Sequence, residues 1–282
     1  MALFTSTNDV KGLLPGEYGD LIVQPLEQES RAILASTSVL TGSHDYHIPV
    51  LNEDATAGWY SEGDDMSWVD PKFEELIVTP AKIGRVTLIS HELATDSTPE
   101  AQTVVGESIA RAIAAGVDEA FFGALAKPAA SGLEALTGVS TVNAGTEWST
   151  LDPFAEAIAA SENVGGTLRT FVANPADALA LAKVKKEDGS NEPLLGIDAT
   201  EPGARRIMGV NVLVSPKVKA GTIWGIDPAF SQVVIRDDVS ISVSEDVAFN
   251  TDQVAVKARM RVGFGFPHPA SLVKINLTKA TS

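Results

Sequence analysis

The chain contains no cysteine. Disulfides, thiolate metal centres and cysteine nucleophiles are therefore excluded, and the absence suits a reducing compartment. No apolar run approaches the ~18 consecutive residues of a membrane-spanning helix, so no membrane partner is expected. The first residues, MALFTSTNDVKGLLPGEYGD, lack the basic-then-apolar order of a secretory leader. Positive charge is scarce. Against 37 Asp and Glu stand 21 Lys and Arg, giving a net charge of −16 and a pI near 4.6. No contiguous basic run is larger than a pair such as Lys185-Lys186 or Arg205-Arg206. Specific nucleic-acid binding needs a basic patch that displaces counterions from phosphate, so it is not expected. The acidity reads either as solubility or as a surface that touches a polyanion without holding it, and the two are compatible.

Familiar catalytic strings are missing as well. His91-Glu92 begins like a zinc-protease motif, but Thr95 stands where the second histidine belongs. His44 and His47 are close enough to share a face, yet no cysteine supplements them. The glycines of Gly263-Phe264-Gly265-Phe266 lie in a strand pattern and not at a strand-to-helix turn, so they argue close backbone approach and not a dinucleotide site. Carboxylate pairs such as Asp64-Asp65 arise by composition in so acidic a chain. No catalytic residue, cofactor or metal ligand is assigned, and the chain is read as a non-enzyme. A soluble acidic hydrolase is the different-class alternative; it would be a compact monomer with a convergent pocket.

What is present is a globular composition: 282 residues, 44% apolar and 21% charged. That suffices for one large or two modest domains. Residues 1–48 read as a loop-rich arm punctuated by Gly12, Pro15, Gly16, Gly19 and Pro25, with an amphipathic helix possible over Leu26–Leu40. From Asn52 to Glu75 come eight acids and one base, Lys72, with Trp59, Tyr60, Trp68 and Phe73 among them. A disordered linker rarely holds so many aromatics. The segment reads as a hairpin turning at Gly63-Asp64-Asp65, with Phe73–Ser90 as its return strand. An isolated hairpin is marginal in water, so its aromatics imply a surface on a neighbouring molecule.

Residues 97–126 read as a long helix. Ser97 and Glu100 form a capping box, Pro99 suits the first turn, and apolar residues from Val105 to Ala124 recur at helical spacing. After residue 150 the pattern alternates. A helix starts at Thr150 or Asp152, Thr170–Ala173 is a short buried strand, and Asn174-Pro175 opens another helix. Strands follow near Val210–Val214, Thr222–Gly225, Gln232–Ile235 and Val239–Val243. The strand Gln253–Phe266 alternates: Val254, Val256, Ala258, Met260 and Val262 on one side, Lys257, Arg259 and Arg261 on the other. Ser271–Leu277 makes a last strand. No internal repeat is seen.

The order of these parts resembles the major capsid proteins of tailed bacteriophages, the Hong Kong 97 fold, which encapsulin shells share. The strings FVANPADALAL (171–181), RRIMGVNVLVSP (205–216), VAVKARMRVGFGFPHPASLVKI (254–275) and WYSEG (59–63) carry the resemblance, though Asn211 stands where proline is common in the family. It implies an α+β fold: N-terminal arm (1–48), extended E-loop hairpin (49–90), peripheral domain (91–148 and 248–282) with spine helix 97–126, and α/β axial domain (149–247). It also implies a homo-oligomer of pentamers and hexamers in an icosahedral virion shell, assembled in the host cytoplasm around DNA that is not specifically bound. An encapsulin-type nanocompartment is the alternative within the fold. A separate scaffolding protein and a portal are expected, and a decoration protein is possible. Trp59, Tyr60, Trp68, Lys72, Phe73, Lys257, Arg259 and Arg261 become intersubunit candidates, the three strand cations meeting acids of a neighbour's hairpin; the alternative for those cations is a solvated strand face. Some family members join subunits through an E-loop lysine. Lys72 is the sole hairpin candidate for that bond here, and a merely exposed charge is the alternative.

Overall fold

The computed structural model describes residues 30–53, 59–60, 63, 65, 72–90, 99–185, 195 and 205–278. The arm before residue 30, Trp68, Ser97 and the His91-Glu92 pair lie outside the described residues.

Chain order begins with α1 (Arg31–Ala35), β1 (Thr37–Leu40), β2 (Tyr46–Glu53), β3 (Lys72–Val78) and β4 (Ala81–Ser90). Next come α2 (Pro99–Phe122), β5 (Ser140–Asn143), α3 (Asp152–Glu162), β6 (Thr170–Ala173) and α4 (Pro175–Lys183). The chain then supplies β7 (Arg206–Ile207), β8 (Val210–Val214), β9 (Thr222–Ile226), β10 (Gln232–Ala248), β11 (Gln253–Gly265) and β12 (Val273–Asn276). They build a four-stranded sheet β1-β10-β11-β4, a six-stranded sheet β5-β12-β9-β6-β8-β7, and the two-stranded ribbon β2-β3.

The spine is α2. It has 24 residues, which at ~1.5 Å per residue makes a rod of about 36 Å. Proline opens it, as expected, because a first-turn residue has no intrahelical use for an N–H. It stops at Phe122, short of the expected 126. Its buried stripe of Ile109, Ile113, Val117 and Phe121 packs on Ala258, Met260 and Val262 of β11 in one large core. Phe121 anchors the far end, its ring 5.1 Å from that of Phe264 at a near-perpendicular angle. The alternation read from β11 holds: Lys257 and Arg259 are exposed while Ala258 and Met260 are buried.

A second core lies in the six-stranded sheet. β6 is buried at all four positions, matching its unbroken apolar run. Asn174 caps α4, accepting from the Ala176 N–H at 3.0 Å and donating to the Val218 carbonyl at 2.7 Å. Buried Asp177 accepts from the Trp148 indole and the Gly221 amide, each at 2.8 Å. α3 starts differently from expectation: Leu151 is its N-cap without a side-chain bond, and Asp152 and Pro153 occupy the first turn.

Four further expectations need correction. The amphipathic stretch Leu26–Leu40 is not one helix. Among the described residues the helix covers only Arg31–Ala35, and Thr37–Leu40 pairs with β10 as a parallel strand. Nor is the return strand Phe73–Ser90 continuous. Thr79-Pro80 breaks it, and its halves enter different sheets, β3 beside β2 and β4 beside β11. Gln232–Ile235 and Val239–Val243 are one 17-residue strand whose register slips mask its alternation. In the string 205–216 the expected strand Val210–Val214 forms as β8, paired to β7 through a tight turn with positive φ at Met208 and Gly209 (51° and 82°). The sheets also run across the expected segment boundaries. β5 and β12 join the six-stranded sheet, whereas β10 lies beside β11 in the four-stranded one.

Candidate functional site

The outer face of the four-stranded sheet follows from strand register. In the β4–β11 pair, Lys82 lies opposite Arg261, Gly84 opposite Arg259, Val86 opposite Lys257 and Leu88 opposite Ala255. Cross-strand partners share a face. Four cations, Lys82, Lys257, Arg259 and Arg261, therefore stand on the side turned away from the spine helix. Val86 beside Lys257 and Leu88 beyond it are both about half exposed. Gly84 leaves no room for a side chain, since a Cβ there would come within 2.8 Å of the Ala258 carbonyl.

β10 borders this face. The Arg259 Nε donates to Ser240 Oγ at 3.0 Å, and Arg261 pairs with Asp237 at 3.4 Å. No described residue pairs with Lys257. The sequence pattern found three of the four cations. Lys82 was missed, although the two-residue spacing of Lys82, Val86 and Leu88 along β4 is the signal that exposes it.

The hairpin β2–β3 roots on the same face, at the end where β11 carries glycines. A Cβ at Gly263 would meet the Val78 side chain at 2.7 Å, and one at Gly265 would meet Ile48 at 2.5 Å. Glycine is thus required for the ribbon to approach. Ile48, Val78 and Val234 form the small core of the root. Beyond it the ribbon loses its own cover. Glu74 and Glu75 are exposed, and Trp59 at the tip is fully exposed. Gly63 has a φ of 93°, as a turn at the expected place requires. Tyr60 is exposed at 40%. Lys72 and Phe73 lie on the β3 backbone, and their side chains fall outside the described residues, as does Trp68.

Polar groups mark the bend where the hairpin leaves the body. Thr79 donates to the Asp45 carboxylate at 2.6 Å, and the His44 ring nitrogen lies 3.0 Å from it. The Thr79 hydroxyl, helped by His44, holds the Asp45 pKa below its ordinary value. His47 lies 3.0 Å from Glu75 across the ribbon. Among the described residues, no three His, Asp or Glu side chains converge as a metal site would require.

One buried group escaped the sequence reading. Asp118, on α2, is 5% exposed. It accepts from Ser30 Oγ at 2.8 Å, the Ala32 N–H at 3.0 Å, the Arg31 N–H at 3.2 Å and Ser215 Oγ at 3.3 Å. Ser30 in turn accepts from the Ile33 N–H at 3.4 Å. Together the two side chains satisfy the first three N–H groups of α1, which has no preceding turn to do so. Glu119 next to it pairs with Lys217 at 2.6 Å. The end of the spine therefore ties the arm's last turn to the loop after β8.

Comparison with solved structures gives the fold a context. A chain of Microbacterium phage Oxtober96 superposes with a TM-score of 0.72 at 18% identity, over 89% of this chain and 91% of that one. The capsid of an empty GTA particle matches at 0.72 and 20% identity, over 99% and 96%. Mycobacterium phage Adephagia matches at 0.71 and 18% identity, over 90% and 92%. At such identities the likeness establishes the fold. No curated protein sequence matches significantly. The model of the phage capsid family matches residues 11–277, nearly the whole length, and the chain belongs to that family.

Proposed function

We propose that this protein is the major capsid subunit of a tailed-phage head, assembling as pentamers and hexamers into an icosahedral shell around double-stranded DNA. The observation that carries the reading is the hairpin. Its root is buried on its own sheet, and beyond the root it carries Trp59, a large aromatic side chain that is fully exposed. A ribbon of two strands is marginal unless something covers it, and copies of the same molecule supply that cover. Family membership over residues 11–277 supports the same reading.

In this account the acidic hairpin of one copy lies over the basic outer face of the next. Trp59, Tyr60, Trp68 and Phe73 supply apolar area, Lys72 lies in the same ribbon, and Lys257, Arg259 and Arg261 meet the ribbon's carboxylates. The contact confers register and partner choice more than raw affinity, as charge complementarity generally does. The role is structural and not catalytic. A separate scaffolding protein and a portal act during assembly in the host cytoplasm, a decoration protein is an optional addition, and the packaged DNA is held without specific contacts. The net charge of −16 fits a wall that does not grip phosphate.

Electron microscopy and nucleic-acid assay of purified particles test this reading. Closed shells that contain DNA are expected. Shells filled with a cargo protein and free of DNA would replace it with a nanocompartment, and a monodisperse 29.6 kDa monomer would end it.

A further inference from the structure

Two clefts meet beside the spine helix. The first, of about 230 Å³, lies between α2 and the loop after β8, and its charged lining is Arg31, Arg111, Asp118 and Lys217. The second, of about 540 Å³, runs from the first half of α4 along β8 to Arg205. Arg31 and Val214 line both, so the two form one groove. Arg111 belongs to it by helical spacing: it stands about two turns before Asp118, with Ala114 and Ala115 on the same stripe. Four cations and one acid thus border the groove, in a chain whose net charge is −16. The acid is already engaged, because both oxygens of Asp118 accept from Ser30, Ser215 and the backbone of Arg31 and Ala32. Lys217 is held by Glu119 at 2.6 Å. The guanidinium groups of Arg31 and Arg205 pair with no described residue.

The strand edge adds a donor. The Ser215 N–H donates to the Ala173 carbonyl at the end of β6 at 3.0 Å, and the Val212 N–H donates the other way, to the Arg205 carbonyl at 2.7 Å. Successive N–H groups of a strand point to opposite edges, so the Val214 N–H points outward like that of Val212. Strand β7 covers only Val210 and Asn211 on that edge, and no described residue accepts from Val214. An open N–H therefore lies where the two clefts join, at the residue that lines both together with Arg31. Planar guanidinium groups present paired N–H donors that match phosphate oxygens, and a backbone N–H supplies a further donor from a different direction. An anion with oxygens on every side uses such a set more fully than the two oxygens of a carboxylate.

We infer that this groove is a phosphate-binding site, in which Arg31 and the Val214 N–H hold one phosphate group, flanked by Arg111 and Arg205. A free phosphate ion and one unit of a nucleic-acid backbone offer the same oxygens. Neither involves a base, so the site is blind to sequence. The acidic remainder of the surface repels a polyanion and confines any such contact to this groove. The site lies within a single subunit and does not depend on the shell reading above.

The probe is inorganic pyrophosphate, titrated calorimetrically into the unassembled full-length subunit. One site per chain is expected. Arg31→Met should weaken it by about tenfold and Arg205→Met several-fold. Arg169→Met, which removes an exposed arginine that lines neither cleft, should leave it unchanged. No binding to the unaltered subunit overturns the proposal, and so do equal losses in all three variants, which would mean general charge attraction. A second measurement needs no variant. Phenylglyoxal modification of arginines, mapped by mass spectrometry, is expected to slow several-fold at Arg31 and Arg205 with pyrophosphate present, and not with chloride at the same ionic strength. Unchanged modification at Arg31 overturns the site. A short DNA duplex that gives the same protection identifies a nucleic-acid phosphate as an occupant, whereas protection by pyrophosphate alone assigns the groove to a free ion; either result upholds the phosphate site. Oligoglutamate that protects Arg31 better than pyrophosphate at equal charge concentration overturns it in favour of an acidic peptide.

Discussion

Replacing Asp118 by alanine removes the acceptor for four donors at once. Two of these are hydroxyls, which can rotate to other partners. The other two are the N–H groups of Arg31 and Ala32, and Ala32 is wholly buried. A hydrogen bond to a charged acceptor contributes about 1.5–3 kcal/mol, and a buried donor left unpaired costs about 1–3 kcal/mol. The adjoining cleft of about 230 Å³ admits water to part of this site and softens the loss. The expected destabilisation is about 3–4 kcal/mol. With a urea m-value of about 3 kcal/mol/M, the unfolding midpoint of the unassembled subunit should fall by about 1 M. Asp118→Asn keeps one acceptor oxygen and should lose about half as much. Because the carboxylate holds α1 in place, trypsin should also cut after Arg31 faster in the alanine variant. A midpoint shift below about 0.3 M, or unchanged cleavage at Arg31, would refute the idea that Asp118 ties the arm to the spine.

Other outcomes follow from the same geometry. Gly132→Ala should abolish soluble subunit, because a Cβ there would collide with the backbone carbonyls of Ala120, Phe121 and Gly123; expression and circular dichroism check this. Charge reversal at Lys257 and Arg259 should leave the urea midpoint of the free subunit nearly unchanged while slowing shell formation, followed by light scattering, and added salt should narrow the difference from wild type. Thr79→Val should raise the Asp45 pKa toward its ordinary value of 3.8 in a carboxyl NMR titration. In the unaltered protein that pKa is depressed on folding. Its contribution to stability is therefore present above the ordinary value and is lost as pH falls through the depressed one.

Local patterns were legible where one element decides its own structure. The Asn174-Pro175 cap, the buried run Thr170–Ala173, the proline start of the spine and the two-sided character of β11 all depend on short-range spacing. Strand partnership was not legible, because a period of two names a strand and not its neighbour. Phe73–Ser90 looked like one strand because its β-branched residues continue past Pro80, which lacks the N–H to stay in the ladder. β10 looked like two strands because its slips between Ile235 and Ser240 break the alternation. Thr37–Leu40 left the helical pattern because tertiary pairing with Gln232–Ile235 outweighed the local spacing. Of the proposed assembly surfaces, the aromatic hairpin and three strand cations were visible in the sequence; Lys82 was not, because only its pairing opposite Arg261 sets it beside them. Asp118 went unnoticed as one acid among many, although it interrupts the apolar stripe between Val117 and Phe121.

The most direct test is a cryo-electron microscopy map of purified particles at a resolution that traces the backbone. The account predicts closed icosahedral shells in which the part of every hairpin beyond its root, residues 50–75, crosses onto an adjacent copy and covers the strand face bearing Lys257 and Arg259. A map in which each hairpin folds back over its own subunit, leaving that face open to solvent, would contradict it.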